Sequence, residues 1–91
     1  MPKIDHRNIL PPIQLSKWLQ TTVPASQSEL LDKHELYDWQ LRLYTIWDQK
    51  VYAILNPYGE VCKWGKEQDF EEVKAAFRDL KVKLDDAAKK E

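Results

Sequence analysis

Val51-Tyr52-Ala53-Ile54-Leu55 is apolar at every position, the pattern of a strand covered on both faces rather than one that alternates between core and water. A chain that holds such a strand must supply a layer on each side of its sheet. With only 91 residues in which to do so, one core has to serve everything, and residues 1–91 are expected to form a single domain.

The neighbours of that strand are legible on either side. Trp39, Leu41, Leu43, Thr45 and Trp47 alternate with Gln40, Arg42, Tyr44 and Ile46, which predicts a preceding strand. Asp48-Gln49-Lys50 is the polar break between the two. Asn56-Pro57-Tyr58-Gly59 is the strongest turn signal of the chain, with Pro57 suited to the second position and Gly59 free to take positive φ. Val61 to Gly65 then returns as a third strand, on which Cys62 and Trp64 are expected to share a face.

The first covering layer is the C-terminal segment. Asp69 is a good N-cap with Glu72 three residues on, and Phe70, Val73, Phe77, Leu80 and Leu84 repeat as one helical stripe. The stripe also fits a heptad seam, but over too few heptads for a coiled coil, so packing on the sheet is expected. Residues 86–91 are expected to fray.

The second layer has to come from the N-terminal part. Residues 1–9 have no period and are expected to be a flexible arm or an extended strap. Leu10-Pro11-Pro12 stiffens the chain, and Leu15, Trp18 and Leu19 then fall on one face of a short helix ending near Gln20. Ser26 and Glu29 have capping-box spacing, predicting a second short helix that buries Leu30, Leu31, His34 and Tyr37. The expected class is therefore α+β: two short N-terminal helices, a three-stranded antiparallel β-meander, and a long C-terminal amphipathic helix packed on one sheet face.

Charge narrows the function classes. The formal net charge is −1 with both signs interspersed, so the chain lacks the electrostatic footprint of a nucleic-acid binder. Lys74, Arg78, Lys81 and Lys83 are interleaved with Glu71, Glu72, Asp79, Asp85 and Asp86, as on a solvated helix face. No stretch approaches the roughly 20 apolar residues that cross a bilayer, and the one cysteine, Cys62, forms no internal disulfide. A cytoplasmic protein is expected, without membrane association.

Candidate chemistry is sparse. Asp5 beside His6, and Asp32, His34 and Glu35 together, lack metal-ligand spacing, so no metal is expected. Cys62 with His34 as base is the one arrangement that would support an enzyme or redox protein, but no catalytic motif or phosphate loop surrounds it. Neither a cofactor nor catalysis is expected.

The tryptophans and tyrosines are the most informative residues, because so small a fold has difficulty burying all of them. Tyr44, Trp47, Tyr52 and Tyr58 lie on strands and turns that the C-terminal helix need not cover. They form the expected partner-binding patch of a non-enzymatic protein-interaction module: an adaptor, an accessory subunit or an inhibitor of a larger protein. The alternative is single-stranded nucleic acid stacked on the same face. A homodimer would also hide such a patch.

Val61-Cys62-Lys63-Trp64-Gly65-Lys66 followed by a helix resembles the strand, W-G-basic, helix order of WGR domains, and three strands before a helix resemble plant AP2-type DNA-binding domains. Each resemblance implies nucleic-acid contact through basic strand residues. Of these the chain retains only Arg42, Lys50 and Lys63, and it is assigned to neither family.

Overall fold

The computed structural model describes residues 5–13, 28–46 and 48–89. Among them β1 (Ser28–Lys33), β2 (Gln40–Ile46), β3 (Gln49–Leu55) and β4 (Val61–Lys66) form one antiparallel sheet in sequential order. A helical turn, α1 (His6–Ile9), precedes the sheet, and α2 (Phe70–Lys89) follows it after a 3-10 turn at Glu67–Asp69.

The class is α+β, with an antiparallel sheet and a C-terminal helix, but the sheet has four strands rather than three. The difference is the segment expected to be the second N-terminal helix. Ser28–Lys33 is extended, pairing Ser28 with Tyr44, Leu30 with Arg42 and Lys33 with Gln40. Of the side chains expected to be buried there only His34 is, while Leu30 and Leu31 are about 40 % exposed (44% and 40%) and Tyr37 is half-buried. Pairing with the open edge of β2 satisfies a whole row of backbone groups, which a helix of marginal length does not match.

The expected helix ending near Gln20 falls, from residue 14 onward, outside the described residues. Within the segment expected to be a flexible arm, His6–Ile9 forms a helical turn with Leu10 N donating to His6 O (3.2 Å). At the other end α2 runs to Lys89.

The register gives each face of the sheet its own core. Leu41, Tyr52 and Ile54 face α2 and pack with Trp39, Cys62, Val73, Phe77, Leu80 and Leu84. Tyr44, Val51, Ala53 and Val61 form a second cluster on the opposite face. Val51 to Ile54 are all buried, as a strand covered on both faces requires. The helical stripe is buried at Val73, Phe77, Leu80 and Leu84, and each large apolar side chain there stabilises the fold by about 1.5–3 kcal/mol.

Two irregularities adjust this register. Leu55 pairs with Val61 but Ile54 pairs with Lys63, so Cys62 is an extra residue in β4. It lies under α2, whereas Trp64, paired with Ala53, lies on the opposite face; the expected shared face is split by the bulge. In β1 the register slips at Leu31, a device that makes an edge strand a poor template for further pairing.

Gly65 sets how closely α2 can approach. A Cβ there would lie 2.7 Å from Asp69 Cβ and 2.9 Å from Val73 Cγ2, so the β4–α2 connection folds back tightly only on a residue without a side chain.

Candidate interaction surface at one end of the sheet

Antiparallel order brings the β1–β2 connection (residues 34–39) and the β3–β4 turn (residues 56–60) to the same end of the sheet. α1 and the C-terminal part of α2 meet them there, as the hydrogen bonds from Trp39 to His6 and from His34 to Asp85 record.

The turn is built by its own residues. Gly59 N donates to Asn56 O (2.9 Å), and Gly59 takes φ 81°, the conformation glycine adopts at little cost. Asn56 is buried; its Oδ1 accepts from the amides of Tyr58 (3.0 Å) and Glu60 (2.9 Å), and its Nδ2 donates to Glu60 Oε1 (2.9 Å). This network fixes the backbone at Tyr58, a residue that is 58% exposed.

α1 braces that ring from the side. Arg7 Nε donates to Glu60 Oε1 (2.9 Å) while its guanidinium lies 4.8 Å from the Tyr58 ring centre. The hydrogen bonds from Arg7 and Asn56 hold the Glu60 carboxyl below the usual carboxylate range. The His6 ring meets Tyr58 edge-on at 6.1 Å and Tyr37 at 5.4 Å. Behind it, Trp39 Nε1 donates to His6 Nδ1 (2.9 Å).

The β1–β2 connection is held by His34. Its Nδ1 accepts from the amides of Leu36 and Tyr37 (3.2 Å each), its Nε2 donates to Asp85 Oδ1 (2.8 Å), and its ring stacks on Tyr37. Both ring nitrogens are thus engaged within the fold. Beside it Lys81 donates to Asp32 (2.7 Å), and these residues with Lys33, Glu35 and Leu36 line a polar cleft of about 430 Å³. Leu36 at its rim is 69% exposed.

Comparison with protein-family models, curated protein sequences and solved structures gives no match to this chain. No helix among the described residues is long and apolar enough to cross a membrane. Nor, among those residues, do three or more His, Cys, Asp or Glu side chains gather where they could hold a metal ion.

Of the four residues expected to form one aromatic patch, the three that are described are not brought together. Tyr58 is exposed at this end, whereas Tyr44 is 5% exposed on the face opposite α2. Tyr52 lies on the other face against Phe70, with ring centres 4.3 Å apart. Trp47 lies outside the described residues. Alternation along the strands predicts this separation of Tyr44 from Tyr52, since their register partners Val51 and Leu43 face opposite ways. His6, Arg7, Leu36 and Tyr37 carry no spacing signal, because their proximity arises only from the folded end of the sheet.

Proposed function

We propose that the chain is a non-enzymatic protein-interaction module, an adaptor, accessory subunit or inhibitor, that engages its partner through this end of the sheet. Tyr58 and Leu36 are its apolar contacts and Arg7 its polar one. The observation that carries the proposal is the bracing of an exposed Tyr58 between Arg7, His6 and a turn locked by Asn56. An aromatic ring held ready in this way loses little rotamer freedom on binding, and tyrosine with arginine is the usual composition of interface hot spots.

The chemistry of Cys62 weighs against a thiol enzyme. Burial, aided by the charge of Glu60, pushes its thiol up to about 11, which leaves little nucleophilic thiolate at neutral pH. A stacking platform for single strands is supported less well: Tyr44 and Tyr52 lie in separate buried clusters, and the net charge of −1 offers phosphates little attraction.

Affinity capture from the native host with wild-type protein and a Tyr58→Ala, Leu36→Ala double variant tests the proposal. Loss of the captured partner with the folded variant supports it, and equal recovery removes it. Quenching of tryptophan fluorescence by oligonucleotides at low salt would favour the nucleic-acid alternative instead.

A further inference from the structure

We infer that residues 5–13 form an acid-released latch, closed by the hydrogen bond from Trp39 to His6 and opened by a proton taken up at His6 Nδ1. Trp39 is fully buried, and the partner of its indole N–H is His6 Nδ1 at 2.9 Å. A nitrogen that accepts this bond carries no proton, so the closed latch holds its ring proton on Nε2. Protonation at Nδ1 sets one N–H against another and strands the buried indole donor, a costly state that undocking relieves.

Among the described residues the other contacts of the segment are few beyond the rings of Tyr37 and Tyr58 against His6 and Arg7. Ile13 N donates to Val61 O (3.1 Å), Ile9 and Leu10 pack at the margin of the core, and the Arg7–Glu60 pair is exposed. Exposed pairs contribute little, so the His6 contact is the point at which the segment is most vulnerable.

Burial already lowers the His6 pKa, and the neighbouring Asp5 opposes that shift. The docked state therefore binds fewer protons than the released one. Its stability is complete above the ordinary histidine value of about 6.5 and falls as pH drops through and below that value. Near His6 stand Asp5 and Arg7 on its own segment, Tyr37 on the β1–β2 connection with His34 stacked on it, and Tyr58 on the turn, with Glu60 bonded to Arg7; α1 also contacts α2, whose last turns carry Asp85, Asp86 and Lys89. His34 is the chain's other histidine, so the response of His6 has to be separated from that of His34.

Amide and indole NMR of the ¹⁵N-labelled chain, taken from about pH 7.5 to about pH 5 across the histidine range, makes that separation. In the wild type the Trp39 indole signal is expected to shift, and the Ile13 amide to exchange at least about tenfold faster than its chemical rate change with pH requires. The midpoint should coincide with the titration of the His6 ring, while the Val73 and Phe77 amides stay protected. In His6→Asn, whose side-chain oxygen accepts from Trp39 without titrating, both responses should vanish. Unchanged Trp39 and Ile13 signals in the wild type at pH 5 would overturn the latch. So would an acid response in His6→Asn equal to that of the wild type, or a wild-type midpoint that departs from the His6 ring titration.

Discussion

His34 donates from Nε2 to Asp85 Oδ1 over 2.8 Å, joining residues 51 positions apart in the chain. With Nδ1 accepting from Leu36 and Tyr37, one buried ring fixes the β1–β2 connection to the end of α2. Removing it in His34→Ala leaves two amides without their acceptor and opens a gap beside Tyr37. The expected cost is about 2–3 kcal/mol in urea unfolding. Asp85 is exposed, so Asp85→Asn is expected to cost less than about 1 kcal/mol. The reverse ranking would mean that the ring does not organise the connection.

Gly65 makes a sharper prediction about packing. An added methyl would press on Asp69 and Val73 at less than 3 Å, and neither α2 nor β4 can withdraw without opening the core. Gly65→Ala is expected to destabilise by about 1–3 kcal/mol, which lowers Tm by several degrees in a domain of this size. An unchanged Tm would show that the helix sits less closely on the sheet.

Phe77 and Val82 test the orientation of α2. Phe77 is 1% exposed and Val82 57% exposed on the same helix. Phe77→Ala is expected to cost about 3–5 kcal/mol, and Val82→Ala less than about 0.5 kcal/mol. Comparable losses at both positions would argue that the helix is buried on both sides rather than on one face of the sheet.

Cys62 should resist thiol reagents while the protein is folded. With its thiol raised to about 11 by burial, against about 8.5 for a free cysteine, the thiolate fraction at neutral pH falls by roughly 100-fold or more. Disulfide-exchange reagents are therefore expected to modify it at least about 100-fold more slowly than in denaturant. Rapid labelling of the native protein would revive the thiol-centred alternative.

Much of this architecture was readable from residue pattern. Val51–Leu55 announced a strand covered twice, Asn56–Gly59 the turn, and the Phe70–Leu84 stripe the face of the long helix, because each depends on a short-range period or a local backbone requirement. Ser28–Lys33 was not readable. Its Ser26–Glu29 spacing fits a helix cap, and only the open edge of β2, a non-local partner, makes the extended form preferable. Of the three described residues of the expected patch, Tyr58 stands exposed at the proposed surface, while Tyr44 and Tyr52 are buried on opposite faces of the sheet. The others there, His6, Arg7 and Leu36, owe their position to contacts between segments about 30 to 50 residues apart (|i−j| of 33 for His6–Trp39 and 53 for Arg7–Glu60), which no local spacing encodes.

Site-specific photocrosslinking in the native host tests the interaction surface most directly. A benzophenone amino acid placed at Tyr58 should yield a discrete adduct with a partner protein, and the same probe at Val82, equally exposed on the outer side of α2 (57% against 58%), should yield none. An adduct from position 82 with none from position 58 would contradict recognition through the Tyr58 end of the sheet.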